Sequence, residues 1–252
     1  MKFSYVLAFG GLCGGVAAQT DKVKIMFLGD SITEATCWRA MIWDMLAAEN
    51  LTDKVELVGS MTNNYMNCTT TAPGFNLHHE GHIGWQAVNI SKEYLPGWLA
   101  TSKPDIVQFM LGTNDVNGGN RTLDDVLNAY TLMVDEMRSS NPDMHIIMDK
   151  IIPLPFNNVP IKAINAAIPA WLDTHNTTTS PIYLADCSEQ AGYEYTWLRD
   201  TIHPDADGDR FMAKQIGPIV IQLVKSKLEQ LNKDKVSQGT ITQGVLKPYE
   251  RY

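Results

Sequence analysis

Val23-Lys24-Ile25-Met26-Phe27-Leu28-Gly29-Asp30-Ser31-Ile32-Thr33-Glu34 runs from a short apolar segment straight into a glycine and two polar residues. The apolar part reads as a strand. Beyond it, Trp38, Met41, Ile42, Met45 and Leu46 recur at helical spacing as far as Asn50, so the segment is strand, turn, helix.

The same alternation continues outward. Val55 to Val58 reads as a second strand, and a polar stretch from Ser60 to about Phe75, poor in apolar residues, reads as a surface loop. A helix is expected from Gln86 to Leu99, and Pro104 introduces the largely apolar run Ile106 to Leu111, typical of a strand covered on both faces. A helix from Leu123 to about Arg138, a strand from His145 to Ile151, a proline-rich loop, a helix to Asp173, a strand from Ile182 to Leu184 and a long helix from Asp207 to Leu231 complete the series. Repeated β-α units with short buried strands imply an α/β parallel sheet with helices on both faces, whose ligands gather at the carboxyl ends of the strands.

The chain has 252 residues, 44% hydrophobic and 19% charged, which suits one globular domain. A net charge of −8 would repel phosphate backbones and anionic headgroups, so neither nucleic acid nor a membrane surface is an expected partner. Residues 1–18 read as a secretory signal: Lys2 supplies positive charge, Val6 to Ala18 is apolar and small, and Val16-Ala17-Ala18 resembles a cleavage site before Gln19. That divides the chain into a signal at 1–18, a domain at 19–232 and a polar tail at 233–252. The mature protein is expected to be secreted, soluble and monomeric. Five acceptor triplets for N-glycans begin at Asn50, Asn67, Asn89, Asn120 and Asn176. Cys37, Cys68 and Cys187 remain after the signal and allow one disulfide, with the pairing open.

Four segments could carry chemistry. Ser31 stands where the first strand ends and the first helix begins, which exposes its hydroxyl at the sheet's ligand-binding edge. With Glu34 three residues on, it also has the pattern of a capping box. In Asp200-Thr201-Ile202-His203, the carboxylate can approach one ring nitrogen and leave the other free to take a hydroxyl proton. Leu111-Gly112-Thr113-Asn114-Asp115 ends a strand at the same edge, where the Asn114 amide could donate to a developing oxyanion, a contribution of roughly 3–4 kcal/mol to the barrier. An Asx turn would explain the same residues. Glu80-Gly81-His82-Ile83-Gly84-Trp85 offers a glycine N–H as a further donor.

Gly-Asp-Ser-Ile, a glycine block, Gly-Thr-Asn-Asp and Asp-x-x-His occur in that order between residues 27 and 204, and together they resemble the SGNH, or GDSL-type, hydrolase superfamily. The resemblance implies a three-layer α/β/α, flavodoxin-like fold. It implies Ser31 as nucleophile, His203 as base and Asp200 as its orienter, with the Ser31 N–H, Gly84 and Asn114 forming the oxyanion hole, and it implies no cofactor. Within the superfamily, Thr-Cys-Trp-Arg at 36–39 and His-Glu-Gly-His-Ile-Gly-Trp at 79–85 are similar to carbohydrate esterase family three, whose members deacetylate xylan. The glycine block departs from the commoner form, in which an Asn precedes the glycine, so Gly84 is chosen over Gly81 by its position before Trp85-Gln86.

The expected activity is a secreted serine esterase acting on acetyl groups of plant-wall polysaccharide or oligosaccharide. Esters of lipids or small aryl alcohols are the alternative substrates, and a non-catalytic carbohydrate-binding protein is the remaining reading. Glu80, His82, Trp85, Tyr193 and Tyr195 are candidate substrate contacts. His78, His79, Glu80 and His82 invite a metal reading, but Gly81 and Gly84 deny them a helical spacing, so no metal site is expected. Asp205-Ala206-Asp207-Gly208-Asp209 lacks the distant Glu of a calcium loop and reads as a helix start.

Overall fold

A computed structural model describes residues 22–244, with side chains as far as residue 236. The expected signal at 1–18 and the last eight residues lie outside the described residues.

The opening segment forms β1 (Val23–Gly29), followed by the single-turn α1 (Ser31–Glu34) and by α2 (Trp38–Ala48). Then come β2 (Val55–Val58), the two-residue β3 (Glu80–Gly81), α3 (Ala87–Asn89) and α4 (Leu95–Ser102). β4 (Ile106–Met110), α5 (Thr113–Val116), α6 (Leu123–Ser140), β5 (His145–Lys150), α7 (Asn158–His175), β6 (Ile182–Asp186) and α8 (Ala206–Gly244) complete the chain. The strands are all parallel, in the order β2-β1-β4-β5-β6, with β3 attached to the end of β1. Every residue of β4 is buried, as are all but Lys24 of β1, because helices cover both faces. α2 packs against α8 on one side, while α3, α4 and α7 gather around α6 on the other. This is the three-layer α/β/α fold expected from the sequence.

The order of the sheet reverses between β1 and β4. One half is built outward from β1 to β2 and the other outward from β4 to β6, so the two loops that leave β1 and β4 diverge and open a crevice. Ser31 follows β1 and Asn114 follows β4.

Four local features differ from expectation. β3 lies past the expected surface loop, in a segment given no strand; two residues carry too little periodicity to be seen, and pairing with Leu28 and Gly29 creates the strand. The helix expected from Gln86 to Leu99 is broken into α3, a π-helical turn at Ile90–Tyr94 and α4. Pro96 has no N–H to continue the ladder, and the widened turn accommodates it. The helix read as ending near Leu231 continues to Gly244, so residues 233–244 are helical rather than a loose tail. No Pro or Gly falls between Pro218 and Gly239, and the Lys, Glu, Gln and Leu there favour helix. Finally, the polar stretch after β2 is fastened at several points. Cys68 forms a disulfide with Cys37, which precedes α2, and the Asp44 carboxylate accepts the Thr71 and Ala72 N–H groups. Cys187 is free and buried.

Candidate active site

Asp30, rather than Ser31, caps α1. Its Oδ1 accepts the Ile32 N–H at 2.8 Å, and Ser31 is the first helical residue. The serine hydroxyl is thereby spared, and its Oγ lies 2.8 Å from His203 Nε2. The capping-box expectation fails for the same reason: Glu34 does not turn back to the cap but accepts the Ile83 N–H at 2.6 Å and an amide hydrogen of Asn63. Burial pushes the Asp30 carboxyl up to about 7 against the opposing hydrogen bond from Ile32, and neighbouring Asp115 adds to the rise.

His203 and Asp200 lie on a tight loop before α8. His203 Nδ1 sits 2.9 Å from Asp200 Oδ2 and 3.0 Å from Oδ1, while Oδ1 also accepts the His203 and Ile202 N–H groups at 2.8 and 3.2 Å. Partial burial opposes ionisation of Asp200, but these donors outweigh it and hold the carboxyl below its ordinary value. Thr201 between them has φ 73°, which a β-branched residue adopts only under tertiary constraint. Part of that constraint is Arg199: its guanidinium donates to Pro204 O at 2.9 Å and to Ala35 O, at the end of α1, at 3.0 Å. Arg199 therefore ties the histidine loop to the serine helix. Nothing in the sequence marked it, since neither carbonyl is its neighbour along the chain.

After β3 comes the turn His82-Ile83-Gly84-Trp85, closed by Trp85 N–H to His82 O at 3.2 Å. Gly84 has φ 81° and Ile83 does not share the positive region, so this is a type II turn, which calls for glycine at its third position. The Gly84 N–H makes no hydrogen bond among the described residues, whereas the Gly81 N–H donates to His79 Nδ1 at 3.0 Å. That difference favours Gly84 as an open donor. The turn is anchored at both ends, by His82 N–H to Gly29 O at 3.0 Å and by Asn114 Nδ2 to Trp85 O at 3.0 Å. Asn114 Nδ2 also donates to Asp30 Oδ2 at 3.2 Å, so both of its amide hydrogens are engaged. Asp115 accepts the Ala87 and Val88 N–H groups at 2.8 and 3.1 Å and caps α3; its burial raises its carboxyl.

The candidate substrate contacts divide. Glu80 is fully buried and is occupied by Ser60 N–H, Ser60 Oγ and His82 Nε2 at 2.8, 2.6 and 2.7 Å, so it holds its neighbours and cannot touch substrate. Tyr193 is likewise buried, edge-on to Trp197 and Phe211, and is a core residue rather than a pocket wall. Both were read from type and proximity in sequence, which carry no information about depth. His82 is mostly buried in an aromatic cluster, its ring centre 4.6 Å from Trp85 and 4.5 Å from Trp98, with the two indoles 5.7 Å from each other. Trp85 is partly exposed, with its carbonyl on Asn114. Tyr195 is exposed, and its hydroxyl donates to Glu189 Oε2 and accepts from Asn158 Nδ2. The histidines of the 78–82 segment are engaged separately: His78 with Gly59 O, His79 with Asn63 O, His82 with Glu80. Among the described residues no group of three or more His, Cys, Asp or Glu is placed to hold a metal ion. Asp205 caps α8 through the Asp207 and Gly208 N–H groups, the helix start expected there.

A serine and a histidine on adjoining loops at the switch point of a parallel sheet characterise acyl-transferring hydrolases of the α/β class. The model of the GDSL-like Lipase/Acylhydrolase family matches residues 27–211, and the chain belongs to that family. Two solved structures make the membership narrower. One is an acetyl esterase mutant crystallised with acetate ion, 48% identical with a TM-score of 0.79. The other is a carbohydrate esterase of family 3 from Talaromyces cellulolyticus, 49% identical, also with a TM-score of 0.79. Each match covers 81% of this chain and 99% of the other. A family 3 carbohydrate esterase from Clostridium thermocellum, 22% identical with a TM-score of 0.69 over 81% of this chain and 98% of that one, shares the fold. A search of curated proteins found no match. The chain is thus a GDSL-type esterase or acylhydrolase resembling the acetyl esterases of carbohydrate esterase family 3.

Proposed function

We propose that this protein is a secreted serine esterase that removes acetyl groups from plant-wall polysaccharide. The observation that carries the reading is the unbroken hydrogen-bond chain from Ser31 Oγ through the His203 ring to Asp200. Ser31 Oγ attacks the acetyl carbonyl carbon while its proton passes to His203 Nε2. Asp200 fixes the ring tautomer and offsets the charge of the imidazolium. The carbonyl oxygen, now negative, is received by the N–H groups of Ser31 and Gly84 and by Asn114 Nδ2. Ser31, as the first residue of α1, has no intrahelical acceptor for its N–H, which leaves that group available. Collapse breaks the bond to the sugar oxygen, which leaves with the proton from His203. Water, deprotonated by the same ring, then cleaves the acyl-enzyme and releases acetate.

Substrate class rests on likeness: the relatives near half identity are named an acetyl esterase and a family 3 carbohydrate esterase. Secretion is supported by the apolar leader at 6–18 and by a disulfide, which persists in oxidising compartments. All five N-glycan triplets begin at exposed asparagines, although the Asn176 amide is already bonded to Ile182. No helix among the described residues is long and apolar enough to cross a membrane.

Acetate release from acetylated xylan tests the proposal. Ser31→Ala should lower the rate by about 10³-fold or more, as removal of a nucleophile does. An unchanged rate in that variant would remove Ser31 from the mechanism, and faster turnover of long-chain acyl esters would move the substrate to lipids.

A further inference from the structure

Glu34 is buried, only 4% exposed, yet it neither caps its own helix nor faces the crevice. It stands on α1 three residues after Ser31, and its two oxygens are divided between two other segments. Oε2 takes the Ile83 N–H at 2.6 Å, and Oε1 takes an amide hydrogen of Asn63 on the disulfide-bonded loop. Ile83 is the second residue of the type II turn, and the next N–H along the chain is the unpaired one of Gly84. The other anchors of the turn hold its first and last residues. Its centre is fixed from Glu34.

We infer that Glu34 is a positioning residue for the oxyanion hole, locking the His82-Ile83 peptide, which adjoins the one bearing the Gly84 N–H, to the helix that carries the nucleophile. The inference rests on the esterase reading above. Its physical content is that two donors on different loops, the Ser31 N–H and the Gly84 N–H, must converge on one oxygen. A strut from the first donor's helix to the peptide just before the second donor's restrains their separation without touching the substrate. Such a strut acts on the tetrahedral species, where the oxygen is charged, more than on the bound ester. Its loss should therefore appear in kcat rather than KM.

Asn63 makes the conservative variant informative. Its Oδ1 is buried without a partner, while its Nδ2 faces Glu34. In Glu34→Gln, the glutamine oxygen can keep the Ile83 N–H. Turning the Asn63 amide over then presents Oδ1 to the new Nε2 hydrogens. Both contacts survive with the charge removed. Arg39, buried nearby with its Nε on Thr33 O, loses the attraction of Glu34, so this variant is expected to melt lower than the parent while keeping its turnover. Glu34→Asp keeps the charge but is one methylene short of Ile83.

The test measures kcat and KM on p-nitrophenyl acetate for the parent, Ser31→Ala, Glu34→Gln, Glu34→Asp and Glu34→Ala, with a melting curve for each. The expected result is kcat within twofold of the parent for Gln, and a fall of tenfold or more for Asp and Ala with KM changed less than threefold. Should Glu34→Ala not fold, Glu34→Asp against Glu34→Gln decides. Equal kcat for Asp and Gln, a loss confined to KM, or turnover that follows melting temperature across the series would overturn the strut. A parent activity that survives Ser31→Ala would instead overturn the esterase mechanism, a separate failure.

Discussion

Asp30 illustrates how much one buried carboxyl does at this site. It caps α1 through Oδ1 and holds the Asn114 amide through Oδ2, while burial raises it to about 7. A carboxyl raised above its unfolded value of 3.8 binds its proton more tightly in the folded state. Its contribution to stability is fully present below pH 4 and is lost as the pH rises through about 7. Asp30→Asn, which cannot ionise, should flatten this part of the profile: the melting temperature of the parent should fall relative to the variant between pH 4 and pH 7. Parallel curves across that window would show that Asp30 does not titrate there. Residues at this scale were legible where a motif fixes local spacing. Asp200 and His203, three apart, meet through their own loop, and Ser31 follows from the end of a strand. Glu34 and Arg199 were not legible, since each acts on backbone groups brought near only by folding. Glu80 and Tyr193 were misread because burial is a property of the assembled core.

Among the elements, the long polar connection between β2 and β3 behaves least like the surface loop its composition suggests. The Cys37–Cys68 disulfide closes 31 residues of chain, a constraint worth about 3–4 kcal/mol in loop-entropy terms, or roughly 10 °C in a protein of this size. Replacing both cysteines by serine should lower the melting temperature by about that amount under non-reducing conditions, and the parent with reductant should match the variant. A melting temperature indifferent to both changes would mean the loop is held by its hydrogen bonds alone. Sequence gave no means of choosing among three cysteines, since the pairing depends on where α2 and the loop meet. The five longer strands, by contrast, were legible to within two residues at their ends, and β3 was missed. Those covered on both faces read as mainly apolar runs, and β1 and β4 are such strands, interrupted only by Lys24 and Gln108.

At the scale of the whole molecule, the sheet order β2-β1-β4-β5-β6 puts the crevice between β1 and β4, and all the proposed catalytic groups stand at its mouth. The alternation of strands and helices implied this sheet, although the helical extent of α8 past Leu231 was not foreseen. On the proposed reading, residues 1–18 belong to this scale too, as a sorting signal removed from the working enzyme. Sequencing the protein recovered from the medium of its own host should begin at Gln19, and recovery inside the cell with Met1 intact would contradict secretion.

Ser31 and His203 meet across 172 positions of chain, the first near the start of the described sequence and the second just before its last helix. During synthesis the proposed nucleophile therefore leaves the ribosome long before its proposed base. A nascent chain carries the serine for most of translation with nothing to activate it, and on the proposed mechanism hydrolytic power arrives only when the final third of the polypeptide has emerged and closed over the first.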